Sequence, residues 1–316
     1  MIPEGPLGKL REECDVTINT DDRFMSHEEL KGAVRGKDGL ISLLSDVIGP
    51  DVMDAAEGTL KIIANYAVGY NNIDVPAATK RKIPVTNTPG VLTDTTADLT
   101  WSILLSTVRR ICEGDRLMRR RAFKGWTPLF MLGGDITGAT LGIYGFGRIG
   151  QAVAKRAKGF GMRVIFHEEG RVPDEVAREL SARAVDFETL LRESDILSIH
   201  VPLTPQTKHR FKIDELKKMK QSAYLINTAR GPIVKESDLV VALRDRVIAG
   251  AGMDVYEDEP EMAPGLAELE NAVLVPHLGS ATIVTRLKMG NMAVENVIAA
   301  VSGRRPPNCV NPETLD

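Results

Sequence analysis

The sequence predicts an α/β protein of two lobes, each a doubly wound parallel sheet, and three observations carry that expectation. The chain has 316 residues, beyond the roughly 250 to 300 at which a single core stops growing. Short runs rich in Val and Ile alternate with helix-length amphipathic stretches, the pattern of βα units around a parallel sheet. Midway along, a glycine-rich turn joins an apolar run to a helix-length stretch.

In the first lobe, strands are predicted at "DVTIN", "GLISLL", "LKIIAN" and "IPVTNT", with helices such as "PDVMDAAEG" between them. A Pro89-Gly90 turn follows. One long helix is then predicted over "DTTADLTWSILLSTVRRICEGDRLMRR", capped by Asp94 or its threonine neighbours. A second set of strands is predicted at "TLGIYG", "MRVIFHE", "DILSIHVP", "SAYLINT", "IAGAGMDVY" and "AVLVPH". After Ser280 a helix over "ATIVTRLKMGNMAVENVIAAVSG" leads to the Pro-rich tail "RRPPNCVNPETLD".

Composition narrows the function classes. With 43% apolar and 26% charged residues, the chain reads as an ordinary globular protein. Its 40 Lys and Arg against 43 Asp and Glu leave a net charge of −3, which offers no strong field to nucleic acid or anionic lipid. The basic run "RRICEGDRLMRRRAFK" is interspersed with acids and apolar residues and reads as a solvated helix face. Cys14, Cys112 and Cys309 are scattered and lack CxxC spacing, so neither a disulfide framework nor a metal site is expected. The start "MIPEGPLGKLREE" lacks the apolar core of a signal peptide, and no apolar run reaches membrane-spanning length. A cytoplasmic protein without nucleic-acid or membrane partners is expected.

The stretch "TLGIYGFGRIGQAVAKRAKGFGMRVIFHE" reads as strand, Gly145-x-Gly147-x-x-Gly150, helix, turn, strand and acid. A bare GxGxxG is weak, but here it follows a strand, opens a helix and precedes an acid at the next strand's tip, as dinucleotide binding requires. Gly145 permits the tight turn, Gly147 lets backbone approach a pyrophosphate, and Gly150 allows close helix packing. Arg148 and Ile149 open the helix, whose N-terminus supplies donors. Glu168 would accept from the adenosine ribose and repel a 2′-phosphate, favouring NAD. Arg171 keeps NADP possible.

Three polar residues fall just beyond carboxyl ends of predicted strands: Arg230, Glu259 and His277. Alone, each has an ordinary explanation as a helix cap, a surface acid or a core hydrogen bond. Together, behind a dinucleotide motif, they suit hydride transfer to a 2-keto acid. Arginine forks onto carboxylate or keto oxygen, histidine exchanges a proton, and the acid orients the ring and favours its charged form. His27 and His209 read as surface or helix-edge residues, while His200 ends a strand near the cofactor without evident chemistry. Leu43 and Leu44 in "SLLSD" are expected to line the pocket and to favour a small or apolar substituent over a phosphate.

These residues resemble the D-isomer-specific 2-hydroxyacid dehydrogenase family over almost the whole chain, the glyoxylate and hydroxypyruvate reductase branch most of all. The stretches carrying the resemblance are "NYAVGYNNIDV", "VTNTPGVLTDTTADL", "LGIYGFGRIGQAVAKRAKGFGM", "LINTARGPIV", "GMDVYEDEP", "NAVLVPHLGSAT" and "RRPPNCVNPE". The resemblance implies that Arg230 binds substrate, Glu259 pairs with the histidine and His277 donates the proton. It assigns carboxylate binding to the backbone at Val68 and Gly69. Nicotinamide-side contacts fall on Thr228 and Asp254, with Gly279 in the same cofactor set, and Val201 and Pro202 match the segment beside the adenosine.

It also implies a Rossmann cofactor domain, residues 89–280, inserted into a flavodoxin-like substrate domain formed by residues 1–88 and 281–316. A homodimer through the inserted domain's long helix and following loop is implied, with Phe130 reaching toward the partner's site. Three departures stand out: Glu168 where NAD-using members usually have Asp, Asn71 for a more frequent Asp, and no strand ahead of "IPEG" to pair with "DVTIN". The start is therefore expected to be truncated, or the gap filled by another segment. The expected activity is NAD(P)H-dependent reduction of a small 2-keto acid, glyoxylate or hydroxypyruvate, to the D-2-hydroxy acid. The alternatives are a phosphoglycerate dehydrogenase-like enzyme and a non-catalytic dinucleotide-sensing module like the family's corepressors.

Overall fold

The structure, a computed structural model, describes residues 2–21 and 23–315. The chain divides into two compact units, Met1–Leu92 with Ser280–Asp316, and Thr93–Gly279.

The first unit runs α1 (Glu4–Glu13), α2 (His27–Ala33), β1 (Gly39–Ser42), α3 (Pro50–Ala55), β2 (Ile62–Asn65), α4 (Val75–Lys80) and β3 (Val85–Thr86). Its strands form a parallel sheet in the order β1-β2-β3. Parallel neighbours need crossovers, which α3 and α4 supply. A reciprocal Ser26–Glu29 capping box starts α2, and Asp74 caps α4 by accepting the Ala77 N–H at 2.9 Å. Val52, Ile63 and Val85 pack on one face of the sheet, and Ile62 and Ala64 on the other.

The predicted strand "DVTIN" does not form: residues 15–19 run as irregular, half-exposed chain. Its alternating pattern carries β-propensity, but a strand also needs a neighbour to take its N–H and C=O groups. Among the described residues, no strand of the sheet pairs with it.

The second unit runs α5 (Thr93–Val108), α6 (Ile111–Arg119), β4 (Thr140–Tyr144), α7 (Arg148–Ala157), β5 (Arg163–His167), α8 (Asp174–Glu179), β6 (Ala182–Ala184), α9 (Phe187–Glu193), β7 (Ile196–Ile199), α10 (Ile213–Lys218), β8 (Tyr224–Asn227), α11 (Glu236–Arg244), β9 (Gly250–Met253) and β10 (Ala272–Leu274). The chain then returns to the first unit as α12 (Ile283–Val301), capped by the Thr282 side chain, and packs Val294 and Val297 against Ile62 and Ala64.

All seven strands of the second sheet are parallel, in the order β10-β9-β8-β7-β4-β5-β6. This is the doubly wound arrangement with a Rossmann order at its centre. The strands β4 and β7 are buried along their whole length, as expected of a parallel sheet covered on both faces. Winding reverses at β4, and ligands of such sheets bind beyond the carboxyl ends at that point.

Two elements of the second unit also differ from the sequence expectation. The single long helix is broken in two at Arg110, which is left-handed at φ 55°. The Val108 carbonyl accepts from Gly134 N–H at 3.0 Å instead of continuing the helical ladder, and Arg110 pairs with Glu113 at 2.7 Å. The edge strand β6 is an addition, too short to show a period in the sequence. Among the described residues, no helix is long and apolar enough to cross a membrane.

Candidate active site

The turn after β4 is shaped by glycine where nothing larger fits. Gly145 has φ 96°, and a Cβ there would lie 2.7 Å from the Val201 backbone nitrogen. A Cβ on Gly150 would collide with the Gly145 carbonyl, whereas the space around Gly147 is open. Gly147 caps α7 without any side-chain hydrogen bond, and Arg148 beside it is exposed. Ile149 packs against the core below. This cradle fits a pyrophosphate, with the uncapped first turn of α7 as its donor set.

Glu168 follows β5 and reaches back to the turn: one carboxylate oxygen accepts the Phe146 N–H at 2.7 Å, the other the Gly170 N–H at 3.2 Å. Its charge therefore stands beside the glycine loop. Arg171 is exposed. His200, at the end of β7, bonds Ser198 Oγ at 2.8 Å, and burial pushes its ring down to about 3, so it stays neutral. Pro202 accepts from Thr207 Oγ1 at 2.7 Å. Thr228 is buried with its hydroxyl 2.9 Å from that of Thr100.

Arg230 leaves β8 on a turn built by buried Asn227, whose side chain accepts from Ala229 N–H at 3.0 Å and donates to the Arg230 carbonyl at 2.9 Å. Gly231 follows, and a Cβ there would collide with the Tyr256 carbonyl, so this position brings the β8 and β9 turns into contact. Burial pushes the Arg230 guanidinium below its ordinary value, with Glu259 pulling the other way.

Glu259 is held on both oxygens: Oε1 accepts the Tyr256 N–H at 3.0 Å, and Oε2 meets His277 Nδ1 at 2.8 Å. Burial alone would raise its carboxyl, but the His277 bond and charge, the Tyr256 N–H and Arg230 together hold it below the usual range. The Nδ1 proton is thereby assigned to the Glu259 side of the ring, and Nε2 is left for exchange.

His277 is left-handed at φ 52°, unusual for a side chain of this size. Asp254 holds that conformation: its carbonyl accepts the His277 N–H at 2.9 Å, and its carboxylate accepts Leu278 N–H at 2.5 Å and Gly279 N–H at 2.9 Å. Burial pushes the Asp254 carboxyl up to about 6. Gly279 also accepts from Thr96 Oγ1 at 3.0 Å, so both its backbone groups are engaged.

In the first unit, the loop after β2 carries Val68 and Gly69. Asn87 Nδ2 donates to the Val68 carbonyl at 2.8 Å and Asn65 Nδ2 to the Gly69 carbonyl at 2.7 Å. Among the described residues, neither backbone N–H donates to an acceptor. Leu43 is half-buried, and its carbonyl accepts from Asn72 at 3.0 Å. Among the described residues, no group of three or more His, Cys, Asp or Glu is arranged to hold a metal ion.

Sequence reading missed part of this machinery. His209 is no plain surface residue: its Nε2 lies 2.5 Å from Glu257 Oε1. Buried Glu236 opens α11 and bonds the loop that carries Glu259. An acid at a helix start is routine, so no local signal marked it.

The sequence model described as D-isomer specific 2-hydroxyacid dehydrogenase, NAD binding domain, matches residues 101–279. Glyoxylate reductase of Thermococcus litoralis is 48% identical over 99% of this chain and 96% of its own. The crystal structure of TT0316 protein from Thermus thermophilus is similar at TM-score 0.90 and 45% identity, covering 98% of this chain and 97% of that one. An NADPH-dependent glyoxylate/hydroxypyruvate reductase from Sinorhizobium meliloti, solved with NADP and malonate, is similar at TM-score 0.83 and 32% identity over 99% and 95%.

Proposed function

The chain belongs to the D-isomer specific 2-hydroxyacid dehydrogenase family, and from that premise we propose that it reduces glyoxylate or hydroxypyruvate to the D-2-hydroxy acid. The observation that carries this reading is the 2.8 Å bond between His277 Nδ1 and Glu259, with the Arg230 charge acting on the same carboxylate. The Gly145–Gly150 turn and Glu168 would hold a nicotinamide dinucleotide, which supplies the hydride when bound.

The chain's own residues do the rest. Arg230 binds carboxylate or keto oxygen and polarises it. His277 gives its Nε2 proton to the oxygen that becomes the hydroxyl. Glu259 keeps the ring oriented and sets a carboxylate 2.8 Å from its Nδ1. Within the first unit by itself, the N–H groups of Val68 and Gly69, which donate to no acceptor among the described residues, suit a carboxylate.

The test is NADH and NADPH oxidation with glyoxylate, hydroxypyruvate, pyruvate and phosphohydroxypyruvate. Turnover of the first two is the expected result. Preference for the phosphorylated acid, or no turnover at all, overturns the reading.

Glu259→Gln removes a negative charge but keeps the shape. Reduction needs the protonated ring, so the alkaline limb of kcat/KM should move to lower pH; an unmoved limb would uncouple Glu259 from the ring. On the acid side the sign is opposite. Because the Glu259 carboxyl is depressed, its stabilising bond is fully present above the ordinary glutamate range and is lost only as pH falls through the lowered value.

Glu168 sets the cofactor preference. NAD is favoured and NADP tolerated, and Glu168→Ser should raise the NADPH-to-NADH ratio of kcat/KM by about tenfold, the factor given by roughly 1.4 kcal/mol of relieved repulsion. An unchanged ratio would remove Glu168 from that role.

A homodimer formed around α6 and the loop after it belongs to the same reading. Its support is an apolar stretch beside Phe130 in which Trp126 and Leu129 are 79% and 82% exposed, unusual for a surface without a partner. Three free cysteines suit a reducing cytoplasm.

A further inference from the structure

We propose that Glu236 is a positioning residue: by clamping both ends of the loop that carries Glu259, it sets where that carboxylate meets His277. The proposal rests on the dyad reading above and adds a residue that touches neither substrate nor cofactor.

Glu236 is 1% exposed, and a buried carboxylate is costly unless hydrogen-bonded. Its partners are backbone donors at the two ends of one short loop. One oxygen accepts the Glu257 N–H and the other accepts the Ala263 N–H at 2.8 Å. The exchange is reciprocal, since Glu236 N–H donates to Glu257 Oε2 at 3.1 Å. Glu257 Oε1 in turn meets His209 Nε2 at 2.5 Å. Glu259 lies between the two clamped positions, so its backbone is fixed from behind by α11 while its side chain is fixed in front by Tyr256 N–H and His277.

A helix-dipole role alone would not explain this geometry, because a solvated first-turn acid satisfies the dipole without reaching across to another loop. Burial pushes the Glu236 carboxyl up, the Ala263 and Glu257 N–H groups pull it down, and the neighbouring Glu257 and Asp258 charges push it up again. Glu257, Asp258 and Tyr256 are titratable groups that act on or feel the Glu236 charge, and His209 joins them through Glu257. The second tie on the dyad runs through Tyr256, whose hydroxyl donates to the Val275 carbonyl at 3.0 Å. With two ties on one loop, loss of the clamp should loosen the acid without unfolding the sheet.

The test compares Glu236→Ala, Glu236→Gln and Glu259→Gln in the full chain. A misplacement of about 1 Å can cost roughly 10²-fold in rate. Glu236→Ala should therefore lower kcat and kcat/KM together by about ten- to a hundredfold. NADH affinity, followed by fluorescence, should stay unchanged. The alkaline limb should shift in the same direction as in Glu259→Gln, and amide exchange at Glu257 and Ala263 should speed up. Glu236→Gln retains one acceptor and should fall between, and it carries the comparison alone if Glu236→Ala does not fold. The double variant Glu236→Ala/Glu259→Gln should be no slower than Glu259→Gln, because both act through one contact. An additive double loss, or faster amide exchange with kcat and pH profile intact, overturns the clamp and leaves the dyad standing. If Glu259→Gln itself changes nothing, the dyad reading falls and the clamp with it.

Discussion

His277→Ala is expected to lower kcat for glyoxylate reduction by roughly 10²- to 10⁴-fold, the usual contribution of a positioned general acid. The loss should fall on turnover, since the cradle at Gly145–Gly150 lies on a different turn and NADH affinity should be retained. His277 is a credible donor because its geometry is determined on two sides. Asp254 fixes the left-handed backbone through three N–H groups, and Glu259 fixes Nδ1. Such a backbone costs of order 1 kcal/mol or more and persists only where surroundings enforce it. The residual activity should also lose the alkaline limb of the pH profile, because no ring remains to deprotonate. Stopped-flow and steady-state kinetics with circular dichroism on the variant would check this. Near-normal reduction of every 2-keto acid tested would remove the donor and the mechanism built on it.

Much of this arrangement was legible because topology concentrates chemistry. In a parallel doubly wound sheet, residues just past strand carboxyl ends gather on one side. Reading strands at "SAYLINT", "IAGAGMDVY" and "AVLVPH" was therefore enough to single out Arg230, Glu259 and His277 together. Their strands β8, β9 and β10 are consecutive neighbours in the sheet, and Glu259 and His277 are bonded. The glycine turn was legible for a related reason: the close approaches at Gly145 and Gly150 exclude any side chain, so the chemistry is written in residue identity.

What stayed hidden depends on partners distant in sequence. "DVTIN" has the composition of a strand, but only a neighbouring strand could complete it. The break at Arg110 is made by Gly134 taking the Val108 carbonyl, an event invisible in the helical period. Glu236 carried no local signal and His209 read as a surface or helix-edge residue, because the loop between Glu257 and Ala263 that gives them meaning lies some twenty or more residues further along. Local patterns report propensity, whereas clamps and breaks report tertiary contact.

Arg230→Ala is expected to damage binding and turnover together, raising KM and lowering kcat so that kcat/KM falls by roughly 10²- to 10⁴-fold. Two charge-assisted hydrogen bonds, each worth about 1.5 to 3 kcal/mol, account for that range. Both parameters should move under the proposed role of Arg230, because a guanidinium on a substrate carboxylate acts in the ground state, while polarisation of a keto oxygen strengthens only as charge develops there. Arg230→Lys should recover little. It keeps the charge but loses the planar fork, and Nη1 already spends one donor on the Ala229 carbonyl at 2.6 Å, so a single ammonium cannot serve both oxygens and the turn. Removing the guanidinium also withdraws a positive neighbour from Glu259, one of the influences that hold that carboxyl below its usual range. The acid limb of the residual activity should therefore move to higher pH, and added guanidinium should restore part of the rate. A variant with normal KM and kcat, or one whose lost rate guanidinium cannot raise at all while its fold is intact, would assign substrate binding to other residues and leave His277 and Glu259 as a dyad without the cation this mechanism gives it.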